Sequence, residues 1–90
     1  MIGSGAFQSC YSLQKVIIPG TVSTIGSNAF QYCYNVKEYH IQGTTPPGMP
    51  STAVFYNAGS TTKFYVPTAA VNTYKSNSIF STWADQIYGE

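Results

Sequence analysis

"IGSGAFQSCY" occupies residues 2–11 and "IGSNAFQYCY" residues 25–34. The second phrase restarts 23 residues after the first and differs from it at two positions, Gly5/Asn28 and Ser9/Tyr32. Aligning residues 2–24 with 25–47 brings the identities to 11 of 23, among them Ile18/Ile41, Gly20/Gly43 and Thr21/Thr44. A period of this length points to stacked coils, because one such unit cannot bury its own apolar face.

Phenylalanine serves as a ruler for a third, decayed copy. Phe7 is followed nine and eleven residues later by Val16 and Ile18, Phe30 by Tyr39 and Ile41, and Phe55 by Phe64 and Val66. Three residues after each Phe stands Cys10, Cys33 or Ala58, small and apolar each time. The third copy has lost its Ile-Gly opening to "PPGMPST" at 46–52. The chain therefore divides into repeat 1 (2–24), repeat 2 (25–47), a degenerate repeat 3 (48–67) and a closing segment (68–90).

Each repeat contains a four-residue stretch of period two, "KVII" (15–18), "EYHI" (38–41) and "KFYV" (63–66). Alternation of this kind predicts a half-buried strand. Val16/Ile18, Tyr39/Ile41 and Phe64/Val66 point inward, and stacking turns the strands into one parallel sheet with neighbours about 4.8 Å apart. Pro19 and Pro67 end two of them, since proline donates no ladder hydrogen bond. "SGAFQSC" and "SNAFQYC" begin with capping residues and predict one or two helical turns on the opposite wall.

After Pro67, Thr68 is the expected N-cap of a helix reaching about Lys75, with Ala70, Val71 and Tyr74 turned inward. Asn77 or Ser78 caps a second helical stretch in which Phe80, Trp83, Ala84 and Ile87 fall at i, i+3, i+4 and i+7, one apolar face. A repeat stack needs such a terminal unit to cover its last core layer. Trp83 reads as the plug over that layer, in preference to a sugar platform. The apolar edge of the first coil has no such cover, so self-association or fraying is expected there.

The pattern I-G-x-x-A-F-x-x-C-x-x-L/V-x-x-V/Y-x-I-P resembles the BspA-like class of leucine-rich repeats of bacterial and some protozoan cell surfaces. Residues 2–45 match it closely, and "FYVPTAAVNTYKSNSIFSTWADQI" (64–87) is similar to the segment that closes such arrays. His40 and Gln42 depart from it, where an apolar residue and proline are usual. The resemblance implies a right-handed α/β solenoid with a short parallel sheet on one face, short helical turns on the other and a C-terminal helical cap. It also implies attachment to host proteins, extracellular matrix or neighbouring cells, at the cell surface or after secretion.

Composition agrees with that reading. Four lysines (15, 37, 63, 75), no arginine and three acidic residues (Glu38, Asp85, Glu90) give a net charge of +1, with no basic stripe for nucleic acid. Twenty residues are Ser or Thr and eight are Tyr, a polar surface with little charge. No apolar run approaches a membrane span, and the N-terminus lacks the basic-then-apolar signature of a signal peptide. Met1 reads as a start placed inside a longer array, and the chain as its C-terminal piece.

Few residues are available for chemistry. Cys10 and Cys33 hold equivalent wall positions and read as buried free thiols, since a disulfide needs Cα atoms within about 7 Å and small apolar packing suits both. Cys33 and His40 lie seven residues apart, but the repeat places them on opposite walls, which defeats a Cys–His dyad. Two thiols and a remote imidazole make no zinc site. Asp85 and Glu90 form no glycosidase pair, and the glycines form no phosphate loop. No enzyme and no cofactor is expected.

The outer face of the sheet holds the candidate partner-binding residues. One column reads Lys15–Glu38–Lys63, alternating in sign so that stacked neighbours attract; the other reads Ile17–His40–Tyr65. Three functions compete: an adhesin-like binding module using this face, a purely structural end of an array whose ligand site lies elsewhere, and an accessory repeat of a secreted enzyme binding sugar at Tyr65 or Trp83.

Overall fold

In a computed structural model, which describes residues 2–33, 35–49, 52–55 and 61–90, four short strands form one parallel sheet in chain order. They are β1 (Lys15–Ile18), β2 (Glu38–Ile41), β3 (Lys63–Val66) and β4 (Ile87–Gly89). Ile18 aligns with Ile41, Tyr39 with Phe64, and Phe64 with Ile87. The three expected strands have the expected bounds, and β1 and β3 stop at Pro19 and Pro67. A four-stranded parallel sheet with short helical segments is a solenoid-like repeat fold.

Alternation decides which side chains enter the core. Ile18, Tyr39, Ile41, Phe64, Val66 and Ile87 are buried, and Val16 is half-buried against them. The Phe ruler becomes a physical stack. Phe7 lies over Phe30 with centroids 5.3 Å apart and planes 4° from parallel, and Phe30 over Phe55 at 5.6 Å and 14°. A second stack runs Tyr39–Phe64–Trp83 at 5.3 and 5.1 Å.

The wall opposite the sheet corrects one expectation. Residues 4–9 and 27–32 form linked turns, not helical turns. Amides of Ala6, Gln8 and Cys10 bond back three residues, to the carbonyls of Gly3, Gly5 and Phe7. The intervening amides of Gly5, Phe7 and Ser9 reach across to the carbonyls of Ser27, Ala29 and Gln31 at 2.8–2.9 Å. Helix formation is blocked by left-handed backbone at Gly5 (φ 65°), Ser9 (61°), Asn28 (58°) and Tyr32 (64°). These are the two positions at which the repeated phrases differ. Gly and Asn tolerate that conformation, whereas Tyr32 holds a bulky side chain there.

Repeat 1 also differs from expectation in burial. Ile25, Ala29, Phe30 and Cys33 are buried, but Ala6 and Phe7 are exposed and Ile2 and Cys10 half-buried. They face the core direction as their counterparts do, with no layer packed over them. Both cysteines are thiols; that of Cys33 donates to the Phe7 carbonyl at 3.0 Å. Burial pushes the Cys33 thiol above its ordinary pKa, which suits packing and not nucleophilic attack. Thr52–Phe55 is a short 3₁₀ helix in repeat 3. Ala58 and Tyr34, used in the alignment, lie outside the described residues.

The closing segment is a fourth layer with its own strand. Thr68–Ala70 is a 3₁₀ turn that leads into helix α1 (Val71–Lys75), with Ala70 and Tyr74 buried. Thr68 is not the N-cap: Pro67 holds that position, and the Thr68 hydroxyl lies 3.4 Å from the Glu90 carbonyl. The Asn77 side-chain oxygen does cap the second stretch, accepting the amides of Ile79 and Phe80 at 2.9 and 3.1 Å. That stretch, Phe80–Gln86, is 3₁₀ with a kink at Trp83, and Ile87 leaves it to begin β4. The i, i+7 spacing of Phe80 and Ile87 therefore lies across a helix-to-strand change, because pairing with Phe64 pulls Ile87 into the sheet. Trp83 is 5% exposed, so it plugs the core and offers no sugar platform. The Tyr74 hydroxyl donates to the Gly43 carbonyl at 2.6 Å; burial pushes its pKa up to about 12.

Candidate interaction surface

Strand pairing brings the outward residues of all four strands into adjacent columns. Ile17, His40, Tyr65 and Tyr88 stand side by side through the pairs Ile17↔His40, His40↔Tyr65 and Tyr65↔Tyr88. The His40 ring stacks on Tyr65 at 4.8 Å and 15°, and Tyr65 leans on Tyr88 at 5.9 Å. Ile17 and Tyr88, the ends of the column, are 54% and 44% exposed. Lys63 extends its ammonium 5.9 Å above the Tyr88 ring, a cation–π contact.

Lys15, Glu38 and Lys63 form the second column, as expected from the alternation. Glu38 does not pair with the lysines: among the described residues the ion pairs within 4 Å are both to His40. Its carboxylate lies 2.7 Å from His40 Nε2, and the Glu90 carboxylate lies 2.8 Å from His40 Nδ1. The imidazole is nearer to Glu38 and more rigid than a lysine stem, so it wins the carboxylate. With a carboxylate at each nitrogen, the ring donates to both when it is protonated. Its side chain is 13% exposed, so His40 is a scaffold of this face more than a contact on it.

Burial pulls the His40 pKa down, but the hydrogen bonds to Glu38 and Glu90 outweigh it and hold the imidazole above its ordinary value. The His40 hydrogen bond, aided by the charges of Lys15 and Lys63, holds the Glu38 carboxyl below its ordinary value. A raised His pKa means stability that is complete below the unfolded value of 6.5 and lost as pH rises through the folded one. A lowered Glu pKa means stability that is complete above the unfolded value of 4.5 and lost as pH falls through the folded one. The thermal midpoint is therefore expected to peak between pH 4.5 and 6.5. His40→Gln should flatten the alkaline limb in a calorimetric pH series; an unchanged limb contradicts the clasp.

Of the six residues expected on this face, Lys15, Ile17, Lys63 and Tyr65 line it with the intended side outward, and Glu38 and His40 are joined to each other. Tyr88 and Glu90 were missed, because the closing segment reads as helix throughout. The 23-residue step would have found Tyr88, which stands 23 residues after Tyr65. Among the described residues no group of three His, Cys, Asp or Glu side chains is placed to hold a metal ion. An apolar cavity of about 350 Å³ opens on the N-terminal layer, lined by Ile2, Phe7, Leu13, Val16, Ile18 and Val22, and it borders the sheet face through Lys15 and Ile17.

The family described as "BspA type Leucine rich repeat region (6 copies)" matches residues 1–86. No curated protein matches the chain. The match agrees with the 23-residue step, the parallel sheet and the Ile-Gly-x-x-Ala-Phe phrase. The chain belongs to the BspA-type leucine-rich repeat family.

Proposed function

We propose that this chain is a non-catalytic protein-interaction module of a cell-surface or secreted protein, and that it meets its partner on the outer face of the sheet. In this reading repeats 2–24, 25–47 and 48–67 form one right-handed stack closed by 68–90. The observation that carries the proposal is the column Ile17–His40–Tyr65–Tyr88, apolar or aromatic at every position and exposed at both ends. A family built of protein-interaction repeats supports it. Residues that repeat most faithfully, such as Phe30, Ala29 and Ile41, are buried in the core. This column instead differs among the first three layers, Ile17, His40 and Tyr65, and ends on a second tyrosine, Tyr88. Tyrosine adds contact area at little entropic cost, and solenoids commonly bind on their sheet face.

The partner class is a host, extracellular-matrix or neighbouring-cell protein. No helix among the described residues is long and apolar enough to cross a membrane. Binding to purified matrix proteins measured by surface plasmon resonance tests the reading. Ile17→Ser combined with Tyr88→Ser removes the two most exposed apolar side chains of the column and should weaken binding by at least roughly tenfold, with the thermal midpoint unchanged. Undiminished binding by the double variant would sink it. A structural reading stands beside it on a different observation: Tyr74, Phe80 and Trp83 seal the last core layer, the work of a terminating segment.

A further inference from the structure

We propose that His40 is a proton-controlled latch on the outer end of β4. Protonated at both nitrogens, its ring holds Glu90 and so straps that end across β3. On losing one proton it keeps Glu38 and frees Glu90, and residues 88–90 loosen from the sheet. The latch is a property of the fold and stands whether or not the sheet face meets a partner. Strand order places β3 between β2 and β4, so the contact from Glu90 to His40 bridges two strand spacings. Both oxygens of the Glu90 carboxylate lie on His40 Nδ1, at 2.9 and 2.8 Å. The Glu38 carboxylate lies 2.7 Å from Nε2, so the ring is gripped from both sides. Ile87 is buried and anchors the inner end of β4, whereas Tyr88, Gly89 and Glu90 are exposed. Beyond the pairing with β3 and the lean of Tyr88 on Tyr65, two further bonds hold that outer end. The Glu90 amide donates to the Val66 carbonyl at 2.9 Å, and Thr68 Oγ1 to the Glu90 carbonyl at 3.4 Å.

Proton counting forces one contact to open. An imidazolium carries two N–H donors and serves both carboxylates. A neutral ring carries one, and its bare nitrogen then meets a carboxylate with lone pairs on both sides. Chain ordering decides which contact survives. Glu38 stands two residues from His40 on the same strand, so keeping it orders no further chain. The Glu90 contact joins residues 50 apart and fixes the end of a three-residue strand, which costs conformational entropy. The other charged or titratable groups around the ring are Lys15 on β1, Lys63 and Tyr65 on β3 and Tyr88 on β4. Lys15 and Lys63 flank Glu38 in register and steady its charge beside Nε2. Among the described residues no lysine lies within 4 Å of Glu90 to do the same. The two carboxylates raise the proton affinity of His40, so the latch is shut on the acidic side and opens above the ordinary 6.5.

Amide exchange followed by NMR from about pH 5 to about pH 9 tests the latch, each rate being divided by its intrinsic value. The residue-90 amide should lose protection roughly tenfold in step with the ring-proton shifts of His40. The Lys63 amide, bonded to the Lys37 carbonyl, should hold steady over the same series. Two substitutions separate the latch from general loosening. Glu90→Gln removes the charge of the strap, so the residue-90 amide should be weakly protected at both ends of the series. Glu38→Gln removes the competitor, so the one proton of the neutral ring stays on Nδ1 and the amide should remain protected throughout. The two variants thus flatten the profile from opposite sides. A flat profile in the unaltered chain, an unchanged profile in Glu90→Gln, or an alkaline release in Glu38→Gln equal to that of the unaltered chain would each overturn the proposal.

Discussion

Gly26→Ala is expected to lower the unfolding free energy by about 3 kcal/mol or more, against a total of roughly 5–15 kcal/mol for a domain of this kind. Its equivalent Gly3→Ala should be neutral or slightly stabilising. The added methyl at Gly26 meets backbone atoms of Gly3 and Ser4, and backbone cannot rotate aside as a flexible side chain would. Relief requires the two repeats to separate, which strains the bond from the Gly26 amide to the Ile2 carbonyl at 2.7 Å. It also disturbs the Ile2↔Ile25 bridge and the stack of Phe7 on Phe30. At Gly3 the methyl enters open space, and the lost freedom of the unfolded chain favours folding by about 0.4–1 kcal/mol. Urea denaturation of the two variants measures the contrast. Equal costs would show that the close approach is not what keeps glycine at this position.

The strands were legible because a period of two and a step of 23 residues report the same geometry from two directions. Val16, Tyr39 and Phe64 had to share a face, and stacking left their neighbours outward. The wall was less legible, because "SGAFQSC" contains good capping residues whatever the backbone between them does. The left-handed conformation at Gly5, Ser9, Asn28 and Tyr32 separates linked turns from a helix; Gly and Asn are compatible with it but also with caps, and Ser and Tyr do not advertise it. The end of the chain misled for another reason. Phe80, Trp83, Ala84 and Ile87 satisfy a helical face, yet Ile87 gains more by pairing with Phe64 in the sheet. Local pattern and tertiary pairing disagreed there, and pairing won.

The same conflict hid half of the candidate face. Once Ile87 begins β4, Tyr88 is outward by alternation and Glu90 returns its carboxylate to His40. The charges then follow geometry rather than order in the column. His40 lies between two carboxylates, so Glu38 turns from the lysines above and below it. Lys15 and Lys63 remain at the rim as cations with no carboxylate within 4 Å among the described residues. The face therefore combines an apolar-aromatic column with a weakly basic border; under the proposed function its complement is a protein surface with apolar contact area and some acidic rim.

Phe55→Ala is expected to cost about 3–5 kcal/mol, the range for a fully buried aromatic ring, and to bring the chain close to unfolding at 37 °C. Phe55 is 1% exposed and is where the ring stacks meet. It lies flat against Phe30 at 5.6 Å, edge-on to Tyr39 at 4.5 Å and to Phe64 at 5.3 Å, and against Trp83 at 5.6 Å. Removing it opens a void between three layers at once, and the neighbours cannot collapse into it without giving up β2–β3 pairing. Phe7 occupies the same position of the repeat but among the described residues stacks on one ring, Phe30, and is 42% exposed. Phe7→Ala should therefore cost only about 1 kcal/mol, scaled to the apolar area it covers. Trp83 fluorescence separates the two variants further: its emission should shift to the red in Phe55→Ala, where the indole loses an edge contact, and stay in place in Phe7→Ala. Equal costs for the two phenylalanines would mean that the core does not deepen from the first layer to the third, and that the closing segment adds no cover. Unequal costs in the stated order tie each copy's energetic weight to its depth in the stack, though the residue at that position is the same.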